Sequence, residues 1–331
     1  MKAQPGTFAL ARSARRYLRR VPVWVWRLLM HSVSSSEKAR FNKDPITGLE
    51  YTLDVDFVGA GHRYQLLDVI TPSSAGAGST ALPVYVYFHG GGWTSGDKAA
   101  LTKYCASQAE AGMVVANVNY RVAPEFHMAH VLDDANAALN WVQRNIGRYG
   151  GDPHRLVLGG DSAGGQIAAL LTAATIRPEL ARHYSLTPAV DVQDIKGLVQ
   201  HCSVVDFSVF FEKGFVLSLN FVRMLLPGHV VREPKPRRHE RLRRAARFLS
   251  PIEWLDSRHP PVFVTTSERD YFYAANMNYI DRLREHSVPV DALVYDWAQT
   301  NTEHTWQQNY RYPESQEVYR RLHAFVERVA G

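Results

Sequence analysis

Cysteine is nearly absent from this chain: Cys105 and Cys202 are the only two in 331 residues. Two thiols cannot build a disulfide framework, so the fold must be one that holds in a reducing compartment, and a cytoplasmic location is expected. Long apolar runs are lacking as well. The most apolar stretch near the amino terminus, Val21–Trp26, is broken by Pro22 and followed by Arg27. It falls far short of the roughly 20 residues that cross a bilayer. Basic residues precede it, as in a signal peptide, but no small-x-small cleavage site follows. There is no internal repeat, no long low-complexity linker, and no zinc-finger, RNP or basic-zipper pattern. With 46% hydrophobic and 21% charged residues, disorder, collagen and coiled coil are excluded.

Acidic residues are missing from one place in particular. Residues 1–30 carry seven basic side chains and no acid, and residues 232–247 carry eight basic side chains against two acids. Outside these two segments 23 basic and 30 acidic side chains remain, a net of −7 beneath an overall +6. The positive charge is thus local, and no nucleic-acid partner is expected. Residues 1–48 are read as an amino-terminal cap segment over a pocket; a peripheral membrane contact through Trp24, Trp26 and the arginines is the alternative. The 232–247 segment reads as a solvated surface loop and helix.

From residue 49 onward, strand-like and helix-like segments alternate. Leu49–Val58 and Arg63–Ile70 have the polar–apolar alternation of an antiparallel hairpin. Short apolar strands are expected at Val84–Phe88, Val114–Val118, Arg155–Leu158, Ile195–Gln200, Val262–Thr265 and Ala292–Tyr295. Helices are expected at Leu101–Ala111, Ala129–Tyr149, Gly164–Ile176, Ala274–His286 and Ser315–Ala330. Such alternation implies an α/β fold with a mostly parallel sheet covered on both faces. Its strands are too apolar and too short to be half-exposed. Chemistry is then expected at the carboxyl ends of the strands.

Two glycine motifs stand at such ends. Gly160-Asp161-Ser162-Ala163-Gly164 follows an apolar strand and opens a helix. That context suits a sharp turn that pushes the Ser162 hydroxyl outward as a nucleophile. His89-Gly90-Gly91-Gly92-Trp93 follows Val84–Phe88. Three glycines let backbone N–H groups converge, and a phosphate loop is excluded by the missing G-x-x-x-x-G-K-[ST] spacing. The N–H groups of Gly91, Gly92 and Ala163 are the expected oxyanion donors. His127 and His130 near Glu125 lack zinc-protease spacing and are read as structural.

On these motifs, with Asn119–Glu125 and Tyr149–Pro153, the chain resembles the hormone-sensitive-lipase-like carboxylesterases of the α/β-hydrolase superfamily over roughly residues 50–330. The resemblance implies an α/β-hydrolase fold with a helical cap, to which residues 202–230 can contribute. It implies cofactor-free hydrolysis of short- to medium-chain acyl esters by a serine esterase, and a homodimer formed through the last strand and helix. The triad order is then Ser, Asp or Glu, His. His304 is the only histidine in the loop after the last expected strand, since His286 precedes that strand and His323 lies within the last expected helix. Asp270 aligns with the family's acid, although Tyr271-Phe272 replaces the usual Pro-Leu after it. Glu268, Asp296 and Glu303 stay open as alternatives. An amidase or formamidase, a membrane-surface lipase and a non-catalytic receptor remain as rival readings.

Overall fold

The computed structural model describes residues 44–74, 80–212, 219–227 and 238–331, together with Val25, Ser36, Lys38 and Ala39. Nearly all of the 1–48 segment, and the basic residues 232–237, lie outside the described residues. Eight strands form one sheet: β1 (Leu49–Asp56), β2 (Leu66–Pro72), β3 (Leu82–Phe88), β4 (Val114–Val118), β5 (Gly151–Asp161), β6 (Ile195–His201), β7 (Val262–Ser267) and β8 (Val290–Tyr295). Their spatial order is β1-β2-β4-β3-β5-β6-β7-β8. β1 and β2 form the antiparallel edge, β2 meets β4 antiparallel, and the remaining pairs are parallel.

Strand periodicity explains why both faces need cover. On β3, Val84, Val86 and Phe88 join one core cluster while Tyr85 and Tyr87 join the other. β5 and β7 divide the same way, Leu156 and Leu158 against Val157, and Val262 and Val264 against Phe263. The first face is covered by α2 (Met128–Asn145), α3 (Ala163–Ile176) and α7 (Tyr273–Glu285). The second is covered by α1 (Thr102–Glu110) and α8 (Pro313–Ala330). Three further α-helices are α4 (Pro178–Tyr184), α5 (Leu219–Met224) and α6 (Arg238–Ala246).

Several expectations are corrected. β5 starts at Gly151, four residues earlier than its apolar core, and runs to Asp161. The α2 periodicity ends at Asn145, where the chain tightens into a 3₁₀ turn over Ile146–Tyr149. The sheet is not buried throughout. No residue of β1 is buried, Leu53 is exposed, and Val294 on β8 is partly exposed, because these two strands are the sheet edges. α6 is the described end of the basic segment. It lays Leu242 and Ala246 into the core, with the Arg243 guanidinium 5.2 Å from the Phe211 ring centre. Among the described residues, no helix is long and apolar enough to cross a membrane.

Candidate active site

β5 ends at Asp161, and α3 begins at Ala163, leaving one residue for the reversal. Ser162 makes it at φ 51° and ψ −115°, a sparsely populated backbone region for any side-chain-bearing residue. The turn is pinned from the end of β6 and the residues just after it: the Ser162 N–H donates to the His201 carbonyl (2.9 Å), and the Val204 N–H donates to the Ser162 carbonyl (3.1 Å). The helix start packs against the end of β3 so closely that a Cβ on Gly164 would overlap the Phe88 carbonyl. α3 is buried on nearly every side, so its amino terminus carries its partial positive charge into a water-poor site.

His304 sits in the loop after β8 and Asp270 in the turn after β7. His304 Nε2 lies 3.0 Å from Ser162 Oγ, and His304 Nδ1 lies 2.6 Å from Asp270 Oδ1. The Asp270 carboxylate also accepts the Thr266 hydroxyl (3.2 Å) and the Phe272 N–H (3.2 Å). Its side chain is fully buried, while that of His304 is 18% exposed. An acceptor held at Nδ1 places the proton on that nitrogen and leaves the Nε2 lone pair facing the serine hydroxyl. This arrangement can take a proton from Ser162 and return it to a leaving group.

The alternative acids are elsewhere. Glu268 accepts the Trp297 N–H (3.0 Å), Asp296 accepts the Ala298 N–H (2.7 Å), and Glu303 is exposed. His127 and His130 hold the start of α2, where the His127 N–H donates to His130 Nδ1 (3.3 Å). Among the described residues, Cys202, Asp270 and His304 form the one cluster with metal-ligand spacing. Its donors are already committed: the two imidazole nitrogens face Asp270 and Ser162, and burial followed by the Asp270 charge pushes the Cys202 thiol well above its ordinary pKa.

The glycine loop stands beside Ser162. Gly91 and Gly92 adopt φ 118° and 59°, and a Cβ on Gly91 would overlap the Ser95 carbonyl, so the tight turn back through Ser95 requires glycine there. The Gly91 carbonyl accepts the Thr94 and Ser95 N–H groups (3.2 Å each), while no loop or turn carbonyl among the described residues accepts the N–H of Gly91, Gly92 or Ala163.

Three groups that support this geometry were not singled out from the sequence. Asp161 ties the loop to the serine turn: its carboxylate accepts the Tyr87 hydroxyl (2.8 Å), the Gly90 N–H (3.0 Å) and the Gln308 amide (2.8 Å), and burial pushes its pKa up. Its position inside the serine motif was the available signal. Gln166 accepts the Trp93 indole N–H (3.0 Å) and donates to the Leu249 carbonyl (2.7 Å), which fixes the far end of the loop. Lys98 is buried between Asp54 (2.6 Å) and Asp68 (2.5 Å), and its backbone is clasped by Asn117 and Asn119 at the end of β4.

His201 lies directly beneath the serine turn, fully buried between the Tyr104 hydroxyl (2.8 Å) and the Thr265 hydroxyl (2.8 Å). Burial pulls its pKa down to about 3, and burial likewise pulls His259 down to about 4. Both are depressed in the folded chain, so the unfolded chain takes up protons first as pH falls through the ordinary histidine range. Stability is therefore fully present above about pH 6.5 and is lost on acidification towards the folded values. His201→Gln is expected to reduce the acid-side slope of unfolding free energy against pH by up to about 1.4 kcal/mol per pH unit. Denaturant melts between about pH 6 and pH 4 measure it; an unchanged slope would show that His201 does not titrate on unfolding.

Comparison with known proteins agrees with this fold. A family model described as alpha/beta hydrolase fold matches residues 85–304. The chain is 42% identical over 114 residues to carboxylesterase NlhH of Mycobacterium tuberculosis, which is 33% of each chain. It is 29% identical over 224 residues to esterase LipQ of the same organism, which is 66% of this chain and 49% of that one. The match therefore spans a third to a half of these relatives' lengths. Among solved structures, esterase B from Lactobacillus rhamnosis superimposes with a TM-score of 0.81 at 19% identity, covering 94% of this chain and 96% of that one. From the family match over residues 85–304, together with the sheet order and the motif positions, the chain belongs to the hormone-sensitive-lipase-like family of the alpha/beta hydrolase fold.

Proposed function

We propose that this chain is a serine carboxylesterase that hydrolyses short- to medium-chain acyl esters through an acyl-enzyme intermediate. The observation that carries this reading is the unbroken line from Asp270 to His304 to Ser162, with contacts of 2.6 and 3.0 Å. His304 Nε2 takes the Ser162 proton as Oγ attacks the ester carbonyl. Negative charge gathers on the carbonyl oxygen and is met by the N–H groups of Gly91, Gly92 and Ala163, with the α3 dipole behind them. The imidazolium, steadied by Asp270, then protonates the departing alcohol. Water, deprotonated by the same nitrogen, releases the acid and restores the serine. A buried aromatic group of Trp93, Phe207 and Phe210, with ring centres 5.1–6.4 Å apart, packs behind the oxyanion loop and holds it in place.

The test is covalent. A fluorophosphonate probe should label the chain once, with the adduct mapped to Ser162. A p-nitrophenyl ester series from acetate to laurate should show a burst and a preference for the shorter acyl chains. A folded chain that takes no label and turns over no ester in the series would refute the reading.

A further inference from the structure

The aromatic pair after the acid, Tyr271-Phe272, frames the His304 imidazole, with ring centres 5.1 and 5.6 Å from it. The two rings have opposite fates. Phe272 is 2% exposed and packs on Phe210 at 6.0 Å, whereas Tyr271 is 54% exposed. Resting on the esterase reading above, we propose that Tyr271 is a specificity-determining residue for the leaving group and favours esters of aromatic or bulky apolar alcohols.

The reasoning follows the proton. His304 Nε2 must reach the departing oxygen within about 3 Å to protonate it, so the alcohol fragment leaves from a point beside the imidazole. Of the two rings flanking that imidazole, Tyr271 alone has free surface to offer. Its ring is tilted 40° to the imidazole. A benzyl or phenyl group leaving beside Nε2 can reach this free ring and pack on it in an offset or edge arrangement. The segment that bears Tyr271 is braced on both sides. The Arg269 guanidinium lies 5.0 Å from the centre of the Trp297 ring and donates to the Trp297 carbonyl (2.7 Å), and the Tyr273 N–H donates to the Asp270 carbonyl (3.1 Å). A ring carried on a braced segment costs less entropy to use as a contact than one on a mobile segment.

The acyl group stays on Ser162 after the alcohol departs, so a leaving-group contact acts on acylation alone. This gives a signature that a general support role for His304 lacks. The experiment compares benzyl acetate with methyl acetate, which share one acyl-enzyme. In Tyr271→Ala, kcat/KM for benzyl acetate should fall about tenfold further than for methyl acetate, and Tyr271→Phe should keep the wild-type ratio. Equal losses on both esters, no loss on either, or a Phe variant that behaves like the Ala variant would overturn the inference while leaving the esterase reading in place. A wild-type chain that hydrolyses neither ester and takes no fluorophosphonate would overturn both.

Discussion

Ser162→Ala is expected to lower kcat on p-nitrophenyl acetate by about 10⁶-fold and to abolish fluorophosphonate labelling, while leaving the fold intact. The size follows from what the hydroxyl does. Without Oγ no acyl-enzyme forms, and His304 and Asp270 have no nucleophile to serve, so losing the serine costs about as much as losing the whole triad. Any remaining acceleration would come from the N–H groups around Gly91 and Gly92 acting on a water attack. Stability should barely change. The strained φ of 51° is imposed by the His201 and Val204 backbone contacts on either side, and alanine can occupy it as serine does. The melting temperature and the initial rate are measured on one preparation. Retention of more than about 1% of the activity in a folded variant would remove Ser162 from the nucleophile's role.

The parts of this molecule legible in the sequence are those where a local pattern and a tertiary demand coincide. Val84–Phe88 is apolar on both faces because both faces of β3 are covered, and a run of β-branched and aromatic residues shows it directly. The serine turn was legible because a one-residue reversal leaves few residue types to choose from. The start of β5 is not legible because Pro153 and the polar His154-Arg155 pair hide a strand that meets β3 there only through the Leu82–Gly151 partners. α4 was not foreseen. Its Pro178 stands at the first helical turn, where a missing N–H costs nothing, yet proline in a sequence reads most readily as a break. The Asp161 clasp was hidden for another reason. Its three donors, Tyr87, Gly90 and Gln308, are up to 147 positions away, and no pattern along the chain foretells which carboxylate will face them. The same holds for the acid, where spacing alone left Glu268 beside Asp270 and only the resemblance favoured one.

Asp270→Asn separates those two carboxylates and carries the second-largest expected effect, a fall in kcat of about 10⁴-fold. The amide keeps the size of the carboxylate but not its chemistry. Asp270 accepts from His304 Nδ1, from the Thr266 hydroxyl and from the Phe272 N–H, and the amide NH₂ can accept none of these. With the NH₂ turned towards His304, Nδ1 becomes an acceptor, the ring proton moves to Nε2, and that nitrogen can no longer take the Ser162 proton. With the amide oxygen turned that way, the NH₂ meets the Thr266 hydroxyl instead, and the imidazolium formed in the reaction still lacks a counter-charge. Glu268→Gln is expected to change kcat less than about threefold, because its carboxylate meets the Trp297 N–H at the protein surface and an amide oxygen accepts that bond as well. Steady-state kinetics on both variants, with circular dichroism as the folding control, decide the matter. If the larger loss falls on Glu268→Gln, the acid is misassigned; if neither variant loses activity, His304 draws its orientation from the surrounding loop and not from a carboxylate.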